Sequence, residues 1–114
     1  MNSKPVIALP EVAEDLRLGN AHYASWRSNG SEHFLGKFLE TVGWIEWNPD
    51  SFPRKYGAVQ RAILKHSFYI AYFVQETDRS VIVAVLDGRR AQAEIKNILS
   101  ERVAARRRSP PPAT

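Results

Sequence analysis

The sequence predicts an α+β domain: a small antiparallel sheet with two helices packed on one face and a further helix at the C-terminus. The sheet takes an N-terminal strand plus two or three C-terminal strands. Three observations predict it. Residues 60–90 contain two apolar runs, YIAYFV at 69–74 and VIVAVL at 81–86, rich in the β-branched and aromatic residues that half-buried strands favour. Phe34, Leu35, Phe38, Leu39, Val42 and Ile45 recur at helical spacing. The order strand, helix, helix, strands, helix is then met most simply by helices layered on an antiparallel sheet.

Val6, Ile7, Ala8 and Leu9 are apolar and lie between Pro5 and Pro10, which suits a short strand at a sheet edge. Residues 11–28 space Val12, Leu16, Tyr23 and Trp26 at near-helical intervals. Glu11, Glu14 and Asp15 stand where a helix N-terminus favours negative charge, and Gly19-Asn20 marks a point of interruption or kinking. Ser28-Asn29-Gly30-Ser31 reads as a turn, with Ser31 as N-cap of the second helix. That helix ends at Asn48-Pro49-Asp50, because the residue before proline is biased out of the α region. Residues 50–57 form a loop into the sheet. Polar residues 75–80 join the two apolar runs as a hairpin loop. Asp87-Gly88 turns the chain and leaves Arg89 and Arg90 at a strand exit, where a rigid sheet holds side chains that still reach solvent. Ile95, Ile98, Leu99 and Val103 then share one face of a last helix. Residues 1–105 are expected to form one domain, and residues 106–114, RRRSPPPAT, a disordered basic and proline-rich tail.

Composition narrows the chemistry. The chain has no cysteine, which removes disulfides and thiolate zinc sites, and its three histidines, His22, His33 and His66, are scattered. No cofactor or metal is expected. No apolar run approaches the roughly 20 residues of a membrane span, and the N-terminus lacks a signal-peptide core, so a soluble cytoplasmic protein is expected. The formal net charge is +4, but Arg106, Arg107 and Arg108 are three of the 16 basic residues; without them 13 stand against 12 acidic ones. The rest of the chain is thus nearly neutral. Its basic residues are unevenly placed: residues 51–75 hold Arg54, Lys55, Arg61 and Lys65 and no acidic residue.

SFYIAYFV, a short hairpin, and VIVAVLDGRR together resemble the RelE/ParE superfamily, small toxins of bacterial type II toxin–antitoxin systems. Members carry an Arg-rich strand, a Phe-Pro-Tyr-like strand start, and Val-x-Ala-Val-x-His-Gly-Arg-Arg. Here Ser67-Phe68-Tyr69 replaces the Phe-Pro-Tyr element and Asp87 stands where histidine is common. The resemblance covers roughly residues 5–100, more loosely in the N-terminal half, and implies the same α+β arrangement. It also implies a cognate antitoxin as partner, in a hetero-oligomer.

Two branches differ in chemistry. In the RelE branch, basic residues on the sheet position mRNA on the ribosome while a ribose 2′-hydroxyl attacks the adjacent phosphate. Arg61 and Arg90 match those positions, and the arginine fork suits phosphate oxygens. Cleavage also needs a proton-transfer group. The residues after Arg90, AQAEIK, supply no tyrosine or histidine; Glu94 reads as an exposed helix residue and His66 as a turn residue. The ParE branch inhibits DNA gyrase without such a set, and the nearly balanced charge of residues 1–105 fits it better. The expectation is therefore a gyrase-directed toxin. A ribosome-dependent endonuclease and a non-toxic, antitoxin-binding member are the alternatives. Arg54, Lys55, Lys65, Arg89 and Arg90 are candidate target- or anion-binding residues, against a plain reading as a solvated face paired with Glu76, Asp78 or Asp87. Trp44 and Trp47 are either core and rim residues or an exposed contact surface for the antitoxin.

Overall fold

In the computed structural model, which describes residues 2–26 and 28–108, the fold is organised around strand β5 (Ser80–Asp87). Residues 81–86 of β5 are all buried. Side chains alternate between the faces of a strand, so an unbroken buried run requires cover on both. On one face lie α1 (Glu11–Trp26) and α2 (Gly30–Trp47), which meet the sheet through the ring cluster Tyr23, Phe34 and Tyr69. The other face is covered by α3 (Gln92–Arg108), whose Ile95 and Leu99 are buried and whose Leu99 and Val103 lie beside Val74.

The remaining strands are β1 (Val6–Ala8), β2 (Arg54–Tyr56), β3 (Val59–Ile63) and β4 (Tyr69–Gln75), in the sheet order β1-β5-β4-β3-β2. β2 to β5 pair antiparallel, but β1 runs parallel to β5, with Val6 opposite Ser80 and Ala8 opposite Ile82. Connectivity explains this. Each element reverses the chain, so β5, seventh in order when β1 is first, points the same way as β1. Four strands follow α2, one more than the upper expected number. β2 is an addition within the stretch expected to be loop, closed onto β3 by Gly57 at a φ of 59°.

Helix α1 runs unbroken through Gly19-Asn20. A Cβ at Gly19 would sit 2.4 Å from Phe34 Cζ, so this glycine allows α1 and α2 to close on each other. α2 starts at Gly30 with Asn29 at the cap position and no side-chain capping bond, in place of the expected Ser31 cap. Its buried face is Phe34, Phe38, Thr41 and Ile45; Leu35 and Leu39 point to solvent.

β1 covers β5 only as far as Ile82, where the Leu9 amide donates to the Ile82 carbonyl at 2.9 Å. Beyond that point two side chains complete the edge. Asp15, 6% exposed, accepts from the Val85 amide at 3.0 Å, and Arg102 donates to the Val83 carbonyl at 3.0 Å. The two also form a bidentate pair at 2.6 and 3.0 Å, tying α1 to α3 across the strand. At Glu76 a second bidentate pair holds Arg106, both contacts 3.0 Å. The sequence places Arg106, Arg107 and Arg108 in a disordered tail; the structure carries α3 through all three. Glu76 supplies the partner, and cations suit a helix C-terminus. Residues 109–114 lie outside the described residues. Among the described residues no helix is long and apolar enough to cross a membrane.

Candidate functional site

The turn after β5 builds the strand exit from four residues, Asp87-Gly88-Arg89-Arg90. The Gly88 amide donates to the Phe68 carbonyl at 2.7 Å, and the Arg90 amide to the Asp87 carbonyl at 3.2 Å. A Cβ on Gly88 would lie 2.6 Å from Ile70 Cδ1 and 3.1 Å from the Phe68 carbonyl oxygen, so a side chain has no room there. Asp87 accepts from the Arg89 amide at 2.9 Å and from its guanidinium at 3.0 and 2.8 Å. That guanidinium lies 4.0 Å from the centre of the exposed Phe68 ring. Arg89 is thus fixed in direction and neutralised. Arg90 pairs with Glu94 one helical turn on, at 3.2 Å.

Aromatic residues surround this exit. Tyr69 stands opposite Asp87 across β4 and β5, and the His22 ring lies 6.3 Å from Tyr69, 5.5 Å from Tyr23 and 5.8 Å from Trp26. The hydrogen bond from Arg89 holds the Asp87 carboxyl below its ordinary value against the opposing effect of burial; Arg89's charge and, less strongly, His22 act in the same direction. Burial pushes the Tyr69 phenol up, Asp87 adds to this, and Arg90 opposes it.

Arg61 lies elsewhere. It is half-buried in the middle of β3, opposite Tyr72. Tyr72 and Tyr69, three residues apart on β4, leave the strand on opposite faces. Arg61 therefore acts on Tyr72, and Arg90 acts on Tyr69. Arg61 and Arg90, the candidate phosphate ligands, thus act on different tyrosines of β4. Tyr72 is 2% exposed, with its phenol raised chiefly by burial and further by Tyr56, whose ring centre is 6.4 Å away; Arg61 opposes the shift. Such a phenol stays protonated and shielded from solvent.

Arg54 and Lys55 are exposed on edge strand β2, with the Lys55 ammonium 5.9 Å from the Tyr56 ring. Lys65 is exposed in the turn before β4. It lines a groove of about 290 Å³ with Glu40, Thr41, Trp44, Phe52 and Ile63. Arg54, Arg61 and Lys65 make no ion pair with a described residue. Trp44 and Trp47 are both solvent-exposed on α2, packed edge to face at 5.9 Å.

No family model matches the chain, and no curated protein matches it in sequence. Its fold has a counterpart among solved structures. The chain is similar to one from the chromosomal ParDE TA system of P. aeruginosa. The TM-score is 0.60 at 18% sequence identity, over 72% of this chain and 92% of that one. At this identity the likeness to the ParDE chain is one of fold, and the side chains stand on their own geometry.

Three of those side-chain relations escape the sequence: His22 beside the strand exit, the Asp15–Arg102 pair and the Arg106–Glu76 pair. Asp15 and Arg102 are 87 residues apart, and the other pairings are also long-range. Only the isolated charge within an apolar helix face, Asp15 between Val12 and Leu16, gave a local sign of a buried partner.

Proposed function

We propose that the chain is the toxin of a type II toxin–antitoxin module, neutralised by a cognate antitoxin in a hetero-oligomer and acting in the cytoplasm on DNA gyrase. The observation that carries the reading is the fold shared with the ParDE chain, which agrees with the resemblance of SFYIAYFV and VIVAVLDGRR to toxin strands. Gyrase is favoured over the ribosome by the state of the arginines. Arg89 is neutralised by Asp87, Arg90 is paired with Glu94, and Arg61 faces a buried phenol. A phosphate-cleaving site needs cations converging with an accessible proton-transfer group. Trp44 and Trp47 are the proposed antitoxin contacts, as exposed aromatic residues of the kind that dominate interfaces.

A second reading, ribosome-dependent mRNA cleavage, draws on one observation. The fold supplies from α1 the imidazole missing after Arg90, with His22 near Tyr69 and Asp87. The neutralised Arg89 also favours a third, a non-toxic antitoxin-binding member. Inducing the chain alone in a bacterial host, with pulse-labelling of DNA and protein synthesis, separates all three. Early loss of DNA synthesis supports the gyrase reading, early loss of protein synthesis supports the nuclease, and uninterrupted growth with folded protein supports the non-toxic member.

A further inference from the structure

Helix α2 has two apolar faces, and the rest of the chain covers one. Phe34, Phe38 and Ile45 are buried against the sheet and α1. On the opposite side Leu35, Leu39, Trp44 and Trp47 face solvent, with Leu39 65%, Trp44 54% and Trp47 51% exposed. Ile63 extends this surface from β3, since it shares a groove with Trp44. A contiguous patch of this kind marks an interaction site more often than a solvated surface.

Its relief points to a helical occupant. Leu35, Leu39 and Trp47 lie on one row of four-residue spacing, about 18 Å long at the α-helical rise and interrupted at Gly43. Ridges of this spacing are the ones that pack into the grooves of a second helix. Gly43 leaves a notch in that row and Gly36 a gap beside it, because a Cβ built on either meets nothing within 4 Å. An added strand would need open backbone groups, which the middle of a helix does not offer.

Charge selects among helices. The exposed ionised residues of α2 are Glu32, Glu40 and Glu46, and its one lysine, Lys37, is half-buried and bound to Glu40 at 3.4 Å. A second copy of this face would set carboxylates against carboxylates. Across the groove from Glu40 stands Lys65, which has no ion pair with a described residue. We infer that the outer face of α2 docks an amphipathic helix of another polypeptide. That helix has a Leu/Ala stripe seated on the Leu35–Trp47 ridge, Lys or Arg flanks over Glu32, Glu40 and Glu46, and an acidic residue beside Lys65. The inference deepens the antitoxin reading and rests on it only for the partner's identity.

The probe is a displayed library of 16-residue helices with a fixed Leu/Ala stripe and flanks randomised over Lys, Glu and Gln. It is selected on the full chain, and the winning synthetic peptide, dye-labelled, is titrated by fluorescence anisotropy. Selection is expected to enrich lysine flanks, with binding at least tenfold weaker to Leu39→Asp and to Trp44→Ala/Trp47→Ala, and weaker as salt rises. Leu39 is exposed, so Leu39→Asp keeps the fold, which circular dichroism verifies. No enrichment over Leu39→Asp, or enrichment of glutamate flanks, overturns the inference. So does a dimer in sedimentation equilibrium that Leu39→Asp dissolves, because the occupant is then a second copy. Growth arrest by the chain alone, without peptide binding, sinks the docking site and leaves the toxin reading standing. Peptide binding without arrest does the reverse.

Discussion

Asp87 holds Arg89 through three hydrogen bonds, and its depressed pKa links that contact to pH. A carboxylate whose folded pKa lies below its unfolded value stabilises the fold above the unfolded value, about 3.9, and loses that contribution as pH falls through the folded value. Asp87→Asn should therefore lower the Tm at pH 7, with the gap to the parent protein closing below about pH 4. A gap that stays constant down to pH 3 would show that the ionised pair is irrelevant to stability. Gly88 gives a second test at this scale. Alanine there meets Ile70 Cδ1 at 2.6 Å and the Phe68 carbonyl at 3.1 Å, so Gly88→Ala should destabilise by about 1–3 kcal/mol in urea unfolding. An unchanged midpoint would mean that the turn shifts freely and does not fix Arg89.

Among the elements, α3 is the one secured most by charge. Its buried apolar contacts are Ile95 and Leu99, and its C-terminal half is held by Arg102 on Asp15 and Arg106 on Glu76. Removing one partner of a buried pair leaves the other charge uncompensated. Arg102→Ala should therefore destabilise the chain by about 3–5 kcal/mol, more than the double variant Asp15→Leu/Arg102→Met, in which neither charge remains. Chemical denaturation of both variants checks the order, and equal losses would remove the buried-charge account. Hydrogen exchange of Arg102→Ala should speed up first in α3 and at the Val85 amide, which Asp15 caps. At the α1–α2 contact, Gly19→Ala forces a methyl to within 2.4 Å of the buried Phe34 ring and should lower stability by about 1–3 kcal/mol, read in the same experiment.

On the scale of the whole molecule, the sheet has helices on both faces, and its basic residues are spread over separate places. Arg54 and Lys55 are on edge strand β2, Arg61 is in the middle of the neighbouring β3, and Arg89 and Arg90 are at the exit beyond β5. A gyrase poison built this way should stabilise a DNA cleavage complex on induction and stop DNA synthesis before protein synthesis. Were translation to stop first, with arrest abolished by Arg61→Ala or Arg90→Ala in folded protein, the nuclease reading would replace it.

Much of the architecture follows from local pattern. The runs at 69–74 and 81–86 become β4 and β5, and Ile95 and Leu99 anchor a last helix, because periodicity and side-chain shape act over a few residues. His66 is a turn residue, with a φ of 62°. Other features depend on residues far apart in the chain. Leu35 and Leu39 fit the helical stripe as well as Phe34 and Phe38, and only packing decided which pair is buried. The parallel pairing of β1 came from the direction of every element between it and β5. In the last turn of α3, Arg106 is held by Glu76, 30 residues before it. The candidate site divides in the same way. Asp87-Gly88 marks the strand exit in sequence and its pairing with Arg89 is local, whereas the arrival of His22 is a tertiary fact. The elements are legible in the sequence, since hydrophobic period and turn chemistry are local. The Asp15–Arg102 and Arg106–Glu76 pairs and the faces of α2 were decided in three dimensions, where burial and electrostatics act between residues that the chain keeps apart.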